Sequence, residues 1–175
     1  DADILFISAF THAAQLAYAI SNRFRQHGVV TVLGGPHARA YPEDASRYFD
    51  YVLGFTTRTL LEEVLTDCSP HRPLGLQLSA GRHPLHLPGI RERWKHIESL
   101  LAKGLGFKMV STIGSFGCPY SCNFCVDSTI DYQPLGNEQI QEDLSFLLGK
   151  MKHPSVGWHD PNFGIRFDET MATIE

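Results

Sequence analysis

Three cysteines fall in one short run, Cys118-Pro119-Tyr120-Ser121-Cys122-Asn123-Phe124-Cys125, at the spacing C-x3-C-x2-C. Three close thiolates can hold three irons of a [4Fe–4S] cluster and leave the fourth iron open. An open iron can bind a substrate or cofactor, which a fully ligated electron-transfer cluster cannot do. Two other chemistries use the same residue types. Three cysteines and a histidine can hold structural zinc, but no histidine follows Cys125 at finger-like spacing; the next are His153 and His159. C-x2-C can also be a thiol redox pair, which leaves Cys118 unexplained. Cys68, alone between Asp67 and Ser69, reads as an incidental thiol.

The elements that must position the loop are legible around it. A strand is expected near Lys108–Ser115, running directly into the cysteines, and Gly114 and Gly117 leave the backbone free to turn tightly. In parallel α/β folds, ligands gather at the C-terminal ends of strands, which is where such a loop sits. Asn137 can cap a helix whose apolar face is Ile140, Leu144, Leu147 and Leu148. Val156–Trp158 reads as the next strand, followed by His159-Asp160-Pro161-Asn162-Phe163, and Asp168 can cap a last helix.

Upstream, strand and helix alternate, which predicts a parallel sheet covered by helices. Ile4–Ser8 is an apolar run. A helix follows with Ala13, Ala17, Ile20 and Phe24 on one face, and Gly28 is suited to end it in a left-handed cap. Val29–Leu33 is a β-branched strand running into Gly34-Gly35-Pro36. Tyr51–Leu53 is a third strand ending at Gly54, and Thr59–Leu65 a short helix. Residues 66–89 are punctuated by Pro70, Pro73, Gly75, Gly81, Pro84, Pro88 and Gly89 and read as linker. A helix is expected over Gly89–Lys103, with Ile90, Trp94, Ile97 and Leu101 at helical spacing.

The 175 residues suffice for one or two small domains, and 43% of them are hydrophobic, ordinary for a globular protein. A net charge of −4 gives no electrostatic footprint for nucleic acid. The one basic cluster, Arg91-Glu92-Arg93-Trp94-Lys95, is interrupted by an acid and reads as a solvated helix face. No apolar run approaches the ~18 residues that would span a membrane, and no signal peptide is visible. Clustered cysteines without a disulfide framework fit a reducing cytoplasm. The first strand begins at once and the last helix has only started, so an internal fragment of a longer protein is expected.

Residues 108–163 resemble the opening of a radical S-adenosylmethionine (SAM) core: strand, C-x3-C-x-aromatic-C loop, helix, strand. The resemblance implies that Cys118, Cys122 and Cys125 ligate a [4Fe–4S] cluster whose open iron takes the amino and carboxylate groups of SAM. It puts Phe124 near the adenine. It implies reductive cleavage of SAM to a 5′-deoxyadenosyl radical, fed by a one-electron donor such as flavodoxin or ferredoxin, with the protein aiming the cofactors and excluding water. Relatives hold the SAM amino group at the end of the second strand, where this chain has Trp158–Asn162 and lacks the usual glycine-glycine-glutamate. Asp160 and Asn162 can accept from an ammonium group there, or can cap the loop. His159 reads as a satisfied polar residue.

Residues 1–65 resemble the second half of a cobalamin (B12)-binding domain of the kind found ahead of radical SAM cores. The carriers are Ile7-Ser8-Ala9-Phe10-Thr11, Gly34-Gly35-Pro36-His37-Ala38 and Asp50-Tyr51-Val52-Leu53-Gly54. The resemblance implies that Ser8, Thr11, Gly34, Gly35 and Gly54 line the cobalamin site, the glycines letting the corrin or its nucleotide tail approach the backbone; tight turn geometry alone also accounts for Gly34 and Gly35. Gly54-Phe55-Thr56-Thr57 stands where the family often has Gly-Glu-Gly-Glu. The Asp-x-His-x-x-Gly motif that supplies an axial histidine is not found, and His12 and His37 are not assigned to cobalt.

The resulting expectation is α/β: a partial flavodoxin-like (Rossmann-like) B12 domain at 1–65, a linker with one helix at 66–107, and the start of a (β/α) radical SAM barrel at 108–175. A full barrel of this kind needs about 200 residues or more, so turnover by this stretch alone is not expected. The function that follows is cobalamin-dependent radical methyl transfer, or a rearrangement, on an unknown substrate. Against it stand a non-catalytic cobalamin- or metal-binding sensory module, which would form no 5′-deoxyadenosine, and a zinc-stabilised binding domain, which would be colourless and sulfide-free.

Overall fold

The computed structural model describes residues 2–84, 86–103 and 109–175. The chain divides into two units, Asp1–Pro84 and Leu85–Glu175.

The first unit runs β1 (Ile4–Ser8), a 3-10 turn, α1 (Ala14–Arg25), β2 (Val30–Gly34), α2 (Pro36–Ala40), α3 (Pro42–Ala45), β3 (Tyr51–Leu53), α4 (Arg58–Asp67) and β4 (Leu76–Leu78). All four strands are parallel, in the order β1-β2-β3-β4. Phe6 lies opposite Val32, Val32 opposite Tyr51 and Val52 opposite Gln77. Alternate residues serve opposite faces of the sheet. Leu33 and Val52 pack with Ala14, Ala17, Tyr18, Ala38 and Phe49; Val30, Val32, Tyr51 and Leu53 pack with Val64 of α4. A parallel sheet covered on both faces explains why β2 and β3 are buried residue after residue instead of alternating.

Two expectations shift here. The buried face of α1 is Ala14, Ala17, Tyr18 and Ser21, not Ala13, Ala17, Ile20 and Phe24; Phe24 is 38% exposed. Polar atoms turn the helix: Tyr18 stacks on Tyr48 at 4.1 Å, and the Ser21 hydroxyl meets Thr31 Oγ1 at 2.8 Å and donates to the Tyr48 carbonyl. Apolar periodicity does not see a helix that buries paired hydroxyls. The stretch 66–107, expected as linker with one helix, is divided: its residues 76–78 form β4, the fourth strand of this sheet. That strand is only three residues long and half-exposed, so it shows no period. Gly75 leads into it, donating its N–H to Ser46 O where a side chain would strike the Phe49 carbonyl.

Beneath the sheet, Asp50 is fully buried. Its carboxylate accepts from the Thr31 N–H (2.9 Å), the Thr31 hydroxyl (3.1 Å) and the His71 N–H (3.2 Å), and pairs with Arg25 at 3.3 Å. One carboxylate thus ties the end of α1, the start of β2 and the approach to β4. Such a charge persists in a core only when its lone pairs are filled.

The second unit runs α5 (Ile90–Ala102), β5 (Met109–Thr112), β6 (Ser115–Phe116), β7 (Gln133–Pro134), α6 (Asn137–Lys150), β8 (Ser155–Trp158) and α7 (Phe167–Ile174). β5 and β8 are parallel, joined through α6, and β6–β7 is a short antiparallel pair. This is one strand–helix–strand unit of the kind a barrel repeats; a closed barrel is not formed by the described residues. Ile90, Val110 and Leu147 are its buried centre, with Trp94, Ile97, Phe146 and Val156 against them.

The strand expected over 108–115 breaks in two; Lys108 lies outside the described residues. The Asp160 carboxylate takes the N–H groups of Gly114 and Ser115, so β5 ends at Thr112 and the chain turns into β6. Gly136, not Asn137, occupies the cap position of α6. Leu148 of the expected apolar face is 66% exposed, while Asp143 is buried, its Oδ1 accepting the Ile90 N–H at 2.6 Å. The α7 cap position is Arg166, with Asp168 in the first turn, where its charge favours the helix N-terminus.

Candidate functional site

The cysteine loop leaves the C-terminal end of β5 by way of β6. Its entry is held by Asp160, just past β8: Oδ1 accepts from Gly114 N (2.5 Å) and Ser115 N (3.1 Å), and Oδ2 accepts from the Ser115 hydroxyl (2.9 Å). The Trp158 ring covers Gly114 so closely that a Cβ there would lie 2.8 Å from it. Gly117 has φ +64°, and a side chain on it would strike the carbonyls of Ile130 and Asp131. Cys118 N–H donates to Ile130 O (3.3 Å), which draws the far end of the loop back to its start. Inside the loop, Cys125 N–H donates to Cys122 O (3.2 Å), and the Ser128 hydroxyl reaches the carbonyls of Cys125 (2.6 Å) and Cys122 (3.0 Å).

All three thiols are free of disulfides; Cys118 and Cys125 are half-buried and Cys122 is exposed. Among the described residues no three His, Cys, Asp or Glu side chains converge on a single ion. A [4Fe–4S] cluster asks for something else, one thiolate on each of several irons. The donor set of three thiols on a glycine-turned loop fits that group. Phe124 projects from the loop, 89% exposed. Asn162 accepts from Gly164 N (3.1 Å) and caps the 3-10 turn after it.

Beside the loop's root, the ends of β5 and β8 open on a cavity of about 490 Å³, lined by Thr112, Ile113, His159, Gln139, Arg93 and Asp143 among others. Burial pushes the Asp143 carboxyl above its ordinary range, against the pull of its bond from the Ile90 N–H. Asp143 and the Asp160 clamp carry no motif spacing; they join residues 53 and 45 apart in sequence.

In the first unit, Ser8, Gly34 and Gly54 lie at or just past the C-terminal ends of β1, β2 and β3, with Thr11 on the loop after β1. Gly35 has φ +88°, and a Cβ on it would lie 2.6 Å from Ser8 Oγ and 3.1 Å from the Ala9 backbone. Its missing side chain is thus required by the chain itself. At Gly34 a Cβ would meet nothing within 4 Å. At Gly54 it would meet Ser79 Oγ at 2.8 Å, and that hydroxyl accepts the Phe55 N–H at 3.0 Å. Gly54, Phe55, Gln77, Ser79 and Arg39 line a cavity of about 250 Å³ at this end of the sheet. Arg39 donates to His83 Nε2 (2.8 Å) and lies over the Phe55 ring. Sequence reasoning missed Ser79 and Arg39, since β4 itself carries no period.

Behind Thr11 runs a second hidden set. His37 is 3% exposed; its Nε2 lies 2.6 Å from the Tyr18 hydroxyl and its Nδ1 3.3 Å from Thr11 Oγ1. Tyr18 donates to Asp44 Oδ2 at 2.9 Å. Burial holds the His37 imidazole below its ordinary pKa and, with the Asp44 carboxylate, pushes the Tyr18 phenol well up.

No family model matches the chain. It is 26% identical, over an alignment of 191 positions, to bacteriochlorophyllide d C-8(2)-methyltransferase of Chlorobaculum tepidum, with 100% of this chain and 41% of that protein covered. It is 23% identical over 150 positions to bacteriochlorophyllide d C-12(1)-methyltransferase of the same organism, with 86% of this chain and 32% of that protein covered. The chain thus spans 41% and 32% of the length of these two curated relatives.

Proposed function

We propose that this chain is part of a radical SAM enzyme that transfers a methyl group to a carbon centre, with cobalamin as the carrier. The observation that carries the reading is the C-x3-C-x2-C loop leaving the C-terminal end of a parallel strand, its entry clamped by a carboxylate just past the end of the neighbouring strand β8. The first unit supports the cobalamin part, with a parallel sheet whose strand ends present Ser8, Thr11, Gly34 and Gly54 on one side. The names of the two relatives support methyl transfer.

Cys118, Cys122 and Cys125 would hold the [4Fe–4S] cluster. When bound, cluster and SAM supply reductive cleavage to a 5′-deoxyadenosyl radical, and cobalamin supplies a methyl group. The chain's own residues do the positioning. Asp160 fixes Gly114 and Ser115, and so the angle at which the loop leaves the strand. A carboxylate has about four acceptor positions; three are filled by that clamp, which leaves room for one bond from the SAM ammonium group. Phe124 would offer an open ring face to the adenine, and Asn162 caps the 3-10 turn that follows β8. A one-electron donor of the flavodoxin or ferredoxin kind and a reducing cytoplasm complete the proposal, with the cobalamin part assigned to Asp1–Pro84 and the radical SAM part to Leu85–Glu175.

Anaerobic reconstitution tests it. About four irons and four sulfides per chain are expected, lost in the Cys118→Ala/Cys122→Ala/Cys125→Ala triple variant. Stoichiometric zinc without sulfide would replace the radical reading with a structural metal site.

A further inference from the structure

With His37 neutral, the hydrogen bonds around it admit one arrangement of protons, and that arrangement sets the polarity of a surface hydroxyl. Asp44 is ion-paired with Arg47 at 3.4 Å and is acceptor-only. The single Tyr18 proton therefore goes to Asp44 Oδ2. The Tyr18 oxygen, 2.6 Å from His37 Nε2, must then accept, so His37 carries its proton on Nε2. At 3% exposure, with a tyrosine and a threonine hydroxyl as its ring-nitrogen partners, the imidazole stays neutral, and its Nδ1 is bare. Thr11 must donate its own proton inward to that nitrogen. The outward side of Thr11 Oγ1 is left with lone pairs only. Thr11 is exposed on the loop after β1. Phe10 before it and Tyr41, tilted over His37, are 61% and 52% exposed.

The geometry points to Thr11 as an acceptor-only reader of the ligand, polarised from behind by His37, Tyr18 and Asp44 and selecting a neutral hydrogen-bond donor of the primary carboxamide class. The assignment to carboxamide rests on the cobalamin reading, since the corrin ring is edged by such groups. A donor-less or anionic group at the same place would face lone pairs and be disfavoured, because an unmatched polar contact costs more than a matched one gains. His37 and Tyr18 are positioning residues in this arrangement; Thr11 alone would touch the ligand.

Two readouts on the full chain separate the relay from the ligand. Imidazole 15N shifts, assigned through the backbone, should show His37 with a protonated Nε2 and a bare Nδ1. The opposite tautomer would turn the Thr11 proton outward and overturn the proposal. Absorbance titration with hydroxocobalamin and its monocarboxylate derivatives, each with one carboxamide turned to carboxylate, reads the second part. One derivative should bind about tenfold more weakly than the parent. Thr11→Val should erase that difference while Thr11→Ser keeps it. Equal binding of parent and derivatives by wild type, or unchanged discrimination in Thr11→Val, would overturn the proposal. Absence of any cobalamin binding would sink the cofactor reading and the carboxamide assignment with it, and the tautomer would then report on the relay alone.

Discussion

In the first unit each strand has a parallel neighbour, helices cover both faces, Asp50 braces the N-terminal ends of β2 and β3 from inside, and the Tyr18–His37–Asp44 set lies behind the loop after β1. In the second, among the described residues, β5 pairs only with β8, and the packed centre is three fully buried residues. There the candidate site hangs on two carboxylates, Asp160 at the loop entry and Asp143 at the start of α5. A ligand-facing loop can be held by a thick core behind it or by a few directed bonds beside it. The first way spreads the load over many contacts; the second concentrates it, so single substitutions should separate the two units.

The largest effect is expected at Asp50. Asp50→Ala leaves Arg25 buried without its carboxylate and frees three donors, so it should cost about 3–5 kcal/mol, read as a lowered urea midpoint of the first unit with iron binding by the second unchanged. Equal loss in both units would mean that they do not behave separately. Asp160→Ala inverts the pattern. It should cost about 1.5–3 kcal/mol in the second unit and lower cluster incorporation, leaving the first unit's midpoint within about 0.5 kcal/mol; full iron loading would remove Asp160 from any positioning role.

The positive-φ glycines sharpen the same contrast. Gly35→Ala should destabilise the first unit by about 1–3 kcal/mol, since it combines strain with the approach of Ser8. Gly117→Ala should act mainly on the cysteine loop, cutting sulfide content more than the melting temperature.

The smallest effect is on pH dependence, where the signs oppose. His37 has a folded pKa below 6.5, so its contribution is fully present above that value and is lost as pH falls from 6.5 toward the lowered one. Asp143 has a folded pKa above 3.8, so its contribution is fully present below 3.8 and lost as pH rises through the raised value. Mild acidification should therefore weaken the first unit in hydrogen exchange and strengthen the start of α5. His37→Gln and Asp143→Asn should flatten the respective slopes; slopes of one sign in both units would refute the assignment.

What the sequence disclosed was what depends on local pattern. The apolar runs of β1 to β3, the α5 stripe of Ile90, Trp94 and Ile97, and the cysteine spacing all follow from neighbours along the chain. What it hid depends on partners far apart. β4 is three half-exposed residues whose only mark is the pairing with β3. The α1 face was misjudged because Tyr18 and Ser21 are buried as polar partners, and the α6 face because Asp143 serves a distant backbone N–H. At the candidate site the cysteines were visible at once, whereas Asp160's grip on Gly114 and Ser115, and the His37 relay behind Thr11, have no spacing to betray them.

The Asp160 clamp also sets a schedule for synthesis. Thirty-five positions separate Cys125 from Asp160, so the three thiols emerge from the ribosome before the carboxylate that fixes their loop does. At about 5–20 residues per second the interval is roughly 2–7 seconds. Throughout it the cysteines are on an unanchored strand, open to oxidation and to stray metals. Under the reading proposed above, iron delivered after β8 has formed would meet a held loop, and iron delivered earlier would meet a loose peptide.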